Sequence, residues 1–351
     1  METSGKYKSV IAMRRGSPEV LRIVENDLRA PSAGEVGIRV LAACVCLPDV
    51  QARYGQSPFA PKYPFVPGYA IVGVVDALGE GVTNAVVGDR VAALTRLGGY
   101  TEYIFLEHKE LIFVPKALDP AEAVTLILNY LVAFQALHRS AKVKAGDRIL
   151  IIGASGGVGT AFLDLGKLAA LKMYGIASGN KSQVLASYGA TPIDYRTQDF
   201  VEAIRRAEPK GLEAVFDGMG EKYLKRGFSL LRHGGKWVEY GNPLSVSGLL
   251  RLLGWFVLLN LLPNGRMLKL YGTGSMIFGR RPFLEDWARL FKLLEEGSIR
   301  PVIMERFPIL EAAKANELLE SGKVVGNLVL VSPELQAGST GLAGRSLASK
   351  V

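Results

Sequence analysis

The stretch ILIIGASGGVGTAF, from Ile149 to Phe162, decides the fold of this chain. Its first four residues form an unbroken apolar run, which is typical of a parallel strand buried on both faces. Ala154, Gly156 and Gly159 then occupy the three positions of a G-x-G-x-x-G pattern, with alanine in the first position. An apolar helix from Ala161 to Leu171 follows, and the N–H groups at its N-terminus can bind phosphates. Strand, glycine-rich turn and helix in this order predict a dinucleotide site.

Two kinds of pattern surround this stretch. From Val10 to about Val114, short strand-like segments are separated by turn residues, which predicts an antiparallel, barrel-like β domain. From about residue 121 to Gly241, helices alternate with buried strands, which predicts a doubly wound parallel sheet. Residues 332–351 are small and polar without a period, and we expect a disordered tail there. The predicted fold class is therefore α/β, with a Rossmann-type sheet and a second, barrel-like domain.

Composition narrows the function classes. The chain has 351 residues, of which 49% are hydrophobic, and this suits two globular domains. Its 42 Lys and Arg exceed its 33 Asp and Glu, but the basic residues are scattered, so nucleic-acid binding is not expected as the main role. Two cysteines are too few for a disulfide framework. The opening METSGKYKSV has no apolar segment of the signal-peptide kind, and we expect a cytoplasmic protein.

The residues after the second strand of the predicted sheet indicate which dinucleotide is bound. In such folds an acidic residue about twenty positions past the glycines binds the ribose hydroxyls of NAD. No Asp or Glu lies between Asp164 and Asp194, and the strand ends instead at Ser178, Asn180 and Lys181. A cation without a nearby carboxylate suits a 2′-phosphate, so NADPH is the predicted cofactor. The alternative is that Lys181 is an ordinary surface residue at a helix start.

The chain resembles a known family. The segments NYLVAFQAL, VKAGDRILIIGASGGVGTA, YGATPIDYR and GNLVLV, in this order after a barrel-like domain, look like the medium-chain dehydrogenase/reductases. Within them the chain is similar to the zinc-free quinone oxidoreductase branch, which includes members similar to vesicle amine transport protein 1 and to zeta-crystallin. The resemblance covers about residues 8–331. It implies a GroES-like catalytic domain from residues 1–122 and 266–331, around a Rossmann NADPH-binding domain of residues 123–265.

The resemblance also implies cofactor contacts. Lys181 and Tyr195 match the lysine and tyrosine that hold the 2′-phosphate in that branch. Asn129 and Tyr130 match the Asn-Tyr of the linking helix near the nicotinamide half. The residues expected to bind the cofactor are Asn129, Ala154, Gly156, Gly157, Val158, Gly159, Ser178, Asn180, Lys181, Tyr195, Tyr240 and Asn327.

Comparison with the zinc-containing members predicts that no metal is bound. Those enzymes carry Cys-x-x-Asp, Gly-His-Glu and a separate four-cysteine lobe. Cys46 and Asp49 match the first motif, but the second reads Gly68-Tyr69-Ala70. A catalytic zinc needs three protein ligands and a structural Cys₄ site needs four thiolates, which two cysteines cannot supply. We expect Cys46 to line the cleft near the nicotinamide, where the family usually has asparagine.

Hydride transfer from NADPH to a quinone or an α,β-unsaturated carbonyl is the chemistry that remains without a metal, since these substrates already carry their electron acceptor. Tyrosines are the candidate hydrogen-bond donors for the developing enolate: Tyr54, Tyr69 and Tyr130, with Tyr69 first because it takes the place of a metal ligand. The predicted catalytic residues are thus Tyr69, Tyr54 and Cys46. Each tyrosine could equally be a packing residue.

A second function class stays open. Some relatives of this branch are better described as lipid- or membrane-associated binding proteins with little turnover. The apolar stretch Leu249–Leu262 favours that interpretation, but it contains Arg251 and Asn260 and is shorter than the about 20 residues that span a bilayer. We expect it to form a helical wall of the substrate cleft, or a contact in a homodimer.

Overall fold

A computed structural model describes residues 5–56, 58–273 and 279–339. The strands in chain order are β1 Lys6–Ala12, β2 Leu21–Asp27, β3 Glu35–Val45, β4 Ile71–Leu78, β5 Arg90–Ala93, β6 Tyr103–Glu107, β7 Ile112–Phe113, β8 Arg148–Ile152, β9 Lys172–Ala177, β10 Thr191–Asp194, β11 Leu212–Asp217, β12 Leu231–Glu239, β13 Met267–Leu270, β14 Ile303–Pro308 and β15 Asn327–Val331. The longer helices are α1 Leu47–Arg53, α2 Pro120–Ala141, α3 Gly157–Leu168, α4 Ser182–Ser187, α5 Phe200–Ala207, α6 Glu221–Gly227, α7 Val246–Leu261, α8 Arg280–Glu295, α9 Ala312–Glu320 and α10 Pro333–Ser339.

A six-stranded parallel sheet forms the centre of the second domain. Its strand order is β10-β9-β8-β11-β12-β13, so the chain leaves β8 in one direction and returns to its other side at β11. This reversal point, at the carboxyl ends of β8 and β11, is where doubly wound sheets bind ligands. The predicted Rossmann-type α/β fold is confirmed.

The sixth strand corrects a domain boundary. The prediction ended the Rossmann domain at residue 265, but β13 pairs in parallel with β12, from Lys236 with Met267 to Glu239 with Leu270. Helix α8 then packs its apolar face against α2, with Phe283 and Trp287 buried. The return to the first domain therefore begins near Ile303. The prediction failed here because β13 is short and only its pairing partner identifies it as part of the sheet.

The first domain is built on a seven-stranded, mostly antiparallel sheet. Its strand order is β14-β15-β3-β4-β5-β7, with β6 also paired to β3. Strand β15 runs antiparallel to β3, from Leu328 opposite Val45 to Val331 opposite Ala42. The far end of the chain thus adds β15 and β14 to the sheet of the first domain, as the predicted C-terminal return requires.

Helix α2 joins the two domains. Asp119 caps its N-terminus by accepting a hydrogen bond from the Ala121 N–H at 2.9 Å, and Pro120 occupies the first turn. The helix is long and apolar enough to cross a membrane, but its most apolar window is 94% buried, as in a core helix. Wide π-helical turns at Leu126–Tyr130 and Ala136–Ala141 interrupt it. Such turns are frequent at functional sites, and the first one carries Asn129.

The C-terminal part differs from the prediction at its start. Residues 332–351 were expected to be disordered, but Ser332 is buried, its N–H donates to the Leu41 carbonyl at 2.8 Å, and α10 follows it. Arg39 forms an ion pair with Glu334 that ties this helix to β3. The sequence did not predict this helix because its residues have no hydrophobic periodicity. Contacts with β3 hold it in place instead. Residues 340–351 lie outside the described part of the chain.

Candidate active site

A cleft of about 310 Å³ lies between the two domains. Its Rossmann side is formed by the residues after β8, β11, β12 and β13, and its barrel side by the residues from the end of β3 to Gln51, together with Tyr69. The predicted site residues that line it are Cys46, Tyr69, Asn129, Gly156, Gly157, Val158, Gly159, Tyr240 and Asn327. The cleft thus joins most of the predicted cofactor residues to two of the predicted catalytic residues.

The glycine-rich turn after β8 is built for close approach of a ligand. Gly153 has a φ of +75°, so it makes the tight turn that the sequence pattern had given to Ala154. Ala154 is fully buried behind it, with its N–H on the Ile176 carbonyl. A Cβ on Gly159 would overlap the carbonyls of Gly153 and Ala154, whereas a Cβ on Gly156 would stand at 3.7 Å from its nearest neighbour. Gly156 therefore leaves open backbone beside the N-terminus of α3, where a phosphate can bind.

Two buried asparagines cross the domain boundary behind this turn. Asn129 on α2 donates its Nδ2 to the Asn327 Oδ1 at 2.6 Å, and the Asn327 Nδ2 donates to the Val302 carbonyl at 2.8 Å. A Cβ on Gly157 would lie 2.5 Å from the Asn129 Nδ2, so only glycine permits this amide contact. The pair fixes both side chains at the floor of the cleft.

Cys46 and Tyr69 come together through Asp49. The buried Asp49 carboxylate accepts hydrogen bonds from the Cys46 and Gly68 N–H groups at 2.9 Å each, and from the Tyr100 hydroxyl at 3.2 Å. Burial raises the pKa of Asp49 to about 7. Asp49 therefore holds the loop that carries Tyr69 against the start of α1. A hydrogen bond with the Cys44 thiol, followed by burial, raises the pKa of Cys46 well above its usual range.

The three candidate tyrosines have different surroundings. Tyr69 lines the cleft, and its hydroxyl has no hydrogen-bond partner among the described residues. Tyr54 was predicted as catalytic, but it does not line the cleft and its hydroxyl donates to the Glu320 Oε2 at 2.8 Å. Tyr130 is buried outside the cleft and donates to the Asp164 Oδ2 at 2.7 Å. Tyr69 therefore stays a predicted donor, whereas Tyr54 and Tyr130 lie outside the cleft and already donate to carboxylates of the protein.

The residues predicted for the 2′-phosphate gather at the end of β9, beyond the cleft. The Ser178 hydroxyl donates to the Asn180 Oδ1 at 2.7 Å, and Tyr195 is 51% exposed. Lys181 is buried, and its Nζ donates to the carbonyls of Gly322 and Val324 at 2.8 Å each. Burial, and then the charge of Arg196, lower the pKa of Lys181 below its usual value.

The sequence analysis missed several residues of the cleft. Gln51, Met219, Asn242, Tyr271 and Glu320 line it, and the reversal point of the sheet explains most of them because they follow its strands or face their ends. The Tyr271 hydroxyl donates to the buried Gln135 Oε1 at 2.9 Å. The Gln135 Nε2 in turn donates to the Asp286 Oδ2 at 2.7 Å. Tyr271 would have been a candidate had β13 been recognised as a sheet strand.

Helix α7 does not form the predicted cleft wall. None of the residues Val246–Leu261 is among those that line the cleft in the described part of the chain. The helix connects β12 to β13, with Leu259 buried against the sheet and Trp255 donating its Nε1 to the Glu221 Oε1 at 3.2 Å. The prediction was wrong because it took the chain after β12 as returning to the barrel, whereas one more strand of the sheet follows.

The side chains at the cleft are poorly suited to bind a metal ion. Among the described residues, no three His, Cys, Asp or Glu side chains come together as a possible metal site. At the position of the family's zinc, Cys46 is a buried thiol that keeps its proton, and Tyr69 and Ala70 stand where a histidine and a glutamate would be.

Both parts of this chain are similar to known dehydrogenase domains. Residues 32–116 match the alcohol dehydrogenase GroES-like domain, and residues 188–330 match a zinc-binding dehydrogenase family. The chain is 32% identical over 314 residues to the synaptic vesicle membrane protein VAT-1 homolog of Homo sapiens, covering 86% of this chain and 80% of that protein. It is 30% identical over 347 residues to the quinone oxidoreductase of Sus scrofa, covering 94% of this chain and all of that protein.

A solved structure extends the comparison to three dimensions. The Escherichia coli quinone oxidoreductase complexed with NADPH has a TM-score of 0.82 and 26% identity to this chain, covering 92% of this chain and 99% of that one. The fold shared with this structure is the one that the sequence motifs predicted. The chain belongs to the medium-chain dehydrogenase/reductase superfamily of nicotinamide-dependent oxidoreductases.

Proposed function

We propose that this protein is an NADPH-dependent reductase that transfers hydride to quinones or α,β-unsaturated carbonyls without a catalytic zinc. One observation carries the proposal. The same cleft contains the open glycine-rich turn after β8 and, on the barrel side, the hydroxyl of Tyr69, which has no hydrogen-bond partner among the residues that the structure describes. A glycine-rich turn open to a dinucleotide and a tyrosine hydroxyl that faces the same cavity suit reduction of a carbonyl-conjugated acceptor.

The chain's own residues fit a nicotinamide dinucleotide. Gly156 and the N-terminus of α3 would hold the phosphates, and Tyr240 would pack near the nicotinamide half, where its ring lies beside Phe162 at 5.5 Å between centroids. Asn129 and Asn327 would lie at the bottom of the cleft, beneath the cofactor. When bound, NADPH supplies the hydride. The protein orients the substrate, excludes water and donates a hydrogen bond to the oxygen that gains charge.

Preference for NADPH over NADH rests on charge at the end of β9. An ammonium has three protons, and the Gly322 and Val324 carbonyls accept two from Lys181, so one remains for a 2′-phosphate. Arg196 lies close by and adds a second positive charge. Ser178 and Asn180 offer further polar contacts there. Because Lys181 is already held in place, little side-chain entropy is lost when it binds a phosphate.

An assay of cofactor oxidation tests the proposal. NADPH and NADH are each offered with small and large quinones, enones and enals, with an unactivated ketone as the control. We expect turnover of NADPH with at least one quinone or enone, a higher kcat/KM with NADPH than with NADH, and no turnover of the ketone. Well under one zinc per chain should be found by elemental analysis. Binding of NADPH with no turnover of any acceptor would contradict the proposal, as would stoichiometric zinc whose removal abolishes activity.

A second function is favoured by the surface of α7. Its apolar side chains are largely exposed, with Leu250 at 64% and Leu261 at 77%. An exposed apolar helix of this kind can lie on a membrane surface without spanning it. The alternative is therefore a nucleotide-binding protein that associates with lipid and turns over little substrate. Sedimentation with liposomes, together with NADPH binding and no turnover, would support it over the reductase.

A further inference from the structure

Two buried carboxylic acids face each other behind the Rossmann wall of the cleft. Asp217 is the last residue of β11 and Glu239 the last of β12, and the two are paired in register across these parallel strands. Their exposed fractions are 0% and 3%. Charged residues are almost never buried so completely unless they have a partner. Neither was a candidate in the sequence analysis, because their proximity follows only from strand pairing.

The surroundings of the pair contain donors for only some of its oxygens. The Asp217 Oδ1 accepts the N–H groups of Met219 at 2.7 Å and Gly220 at 3.1 Å. The two carboxyls are within hydrogen-bonding contact of each other, and the Trp237 indole and the Gly241 N–H also lie close to Glu239. Without a proton between them, the Asp217 Oδ2 and the Glu239 Oε2 have no donor in the described part of the chain. One shared proton gives each of these two buried oxygens a partner.

Electrostatics keep that proton in place at neutral pH. Burial raises the pKa of Asp217, and burial together with the Asp217 charge raises that of Glu239, so the pair holds a proton above the pH at which free carboxyls lose theirs. Among the described residues, no cation is one of the groups that act most strongly on either acid. The neighbouring titratable groups are phenols: Tyr240 after β12 and Tyr223 on α6, both with a raised pKa and therefore neutral. Removal of the shared proton would leave two adjacent, uncompensated negative charges.

The position of the pair connects it to the cofactor. Asp217 leads into Gly218 and Met219, and Glu239 leads into Tyr240 and Gly241, all of which line the cleft. The two segments touch, because a Cβ on Gly218 would lie 2.6 Å from the Tyr240 ring and one on Gly241 would lie 2.7 Å from the Gly218 carbonyl. A separation of the two strand ends would therefore move the wall of the cleft directly.

We propose that Asp217 and Glu239 are positioning residues whose shared proton holds the ends of β11 and β12 together, so that binding of the nicotinamide nucleotide weakens when this proton is lost at alkaline pH. The inference rests on the proposed function only in requiring that such a nucleotide binds in the cleft. The two acids act through the wall they hold and do not touch the reacting atoms.

Fluorescence titration with NADPH and with NADH, from about pH 7 to about pH 10, tests the pair. In the wild type we expect the Kd for both nucleotides to rise by roughly tenfold or more over this range. Glu239→Gln and Asp217→Asn should each reduce the rise to less than about threefold, because an amide donates to the remaining carboxylate and the doubly charged state cannot form. Glu202→Gln, which removes an exposed carboxyl on α5, is the matched control and should follow the wild type.

Thermal unfolding of the nucleotide-free protein gives an independent measurement. Both acids have a folded pKa above the unfolded value, so their stabilising contribution is present at low pH and falls as pH rises through the folded pKa values. The Tm should fall with pH more in the wild type than in either amide variant. If Kd and Tm changed with pH to the same extent in the wild type and all three variants, the inference would be overturned. If one amide variant does not fold, the comparison of the other with the wild type tests the inference. No binding of either nucleotide at any pH would contradict the proposed function, while the Tm profiles would still report on the pair.

Discussion

At the scale of single residues, Tyr69 differs from the other tyrosines near the cleft because its hydroxyl has no partner in the described part of the chain. Tyr54 donates to Glu320 and Tyr271 donates to Gln135, so neither can donate to a substrate without giving up a bond. Asp49 holds the loop of Tyr69 through the adjacent Gly68 N–H. A donor that needs no rearrangement is the kind that stabilises developing charge most effectively.

Replacement of Tyr69 by phenylalanine tests this role. If the hydroxyl donates to the oxygen that gains charge, kcat should fall by about 100-fold, while the Kd for NADPH should stay the same because only a transition-state interaction is lost. Steady-state kinetics with a quinone or enone and direct NADPH binding measure the two effects. Tyr54→Phe is the matched control and should keep the wild-type kcat. Equal kcat values for Tyr69→Phe and the wild type, with chemistry shown to limit the rate, would make Tyr69 a packing residue.

At the scale of elements, the Asn260 side chain of α7 forms hydrogen bonds with the backbone of β13, the outer strand of the parallel sheet. Asn260 accepts the Leu268 N–H at 3.1 Å and donates to the Leu268 carbonyl at 3.0 Å, in the manner of a further strand. Strand β13 is an edge strand, and unpaired edges are sites of unwanted association. The amide therefore connects α7 to the sheet and satisfies the backbone of Leu268, which is fully buried.

Removal of this amide should destabilise the protein. Asn260→Ala leaves a buried N–H and a buried carbonyl of Leu268 unpaired, so we expect a loss of about 1–3 kcal/mol in the free energy of unfolding. Denaturant unfolding of the variant and the wild type measures the difference. Asn84→Ala removes an exposed amide that contacts His108 and should change stability by less than about 0.5 kcal/mol. A loss no larger than that of the control would mean that water replaces Asn260 at the sheet edge.

At the scale of the whole molecule, α7 presents an apolar surface to the outside, on the Rossmann domain and away from the cleft. Leu250, Val257 and Leu261 are all more than half exposed, and Arg251 is paired with Glu221. Apolar patches of this kind on folded proteins mark contacts with another protein or with a membrane. The homodimer expected from the sequence stays a prediction, and this face of α7 is a candidate surface for it.

Replacement of Leu250, Val257 and Leu261 by glutamine should weaken association without affecting chemistry. We expect the apparent mass in sedimentation equilibrium to shift towards the monomer, with kcat unchanged, because α7 does not line the cleft. Liposome sedimentation of the same variant distinguishes a lipid surface from a second copy as the partner. A selective rise in KM for large quinones over small enones would contradict this placement and return α7 to the substrate site.

Much of the fold followed from local pattern. The apolar run before Gly153, the glycines after it and the helix beyond them fixed a dinucleotide-binding unit, because each depends on residues adjacent in sequence. The resemblance to the family also rests on short segments of adjacent residues. Tyr69 was predicted to lie at the cleft because it occupies a position of a family motif. Asn129 and Asn327 were found through matched segments, although their mutual hydrogen bond was not.

Other features depend on contacts between residues that are distant in sequence, and only the tertiary structure decided them. The sequence by itself determined the two-domain architecture, the glycine-rich turn and the basic residues after β9. Only the folded chain made β13 a sheet strand, bound Tyr54 to Glu320, turned α7 outward and placed Asp217 beside Glu239. Spacing along the chain reports which residues share a face of one element. Burial, proton sharing and the partner of a hydroxyl are set by what the neighbouring elements cover, and that is fixed only when strands and domains pack.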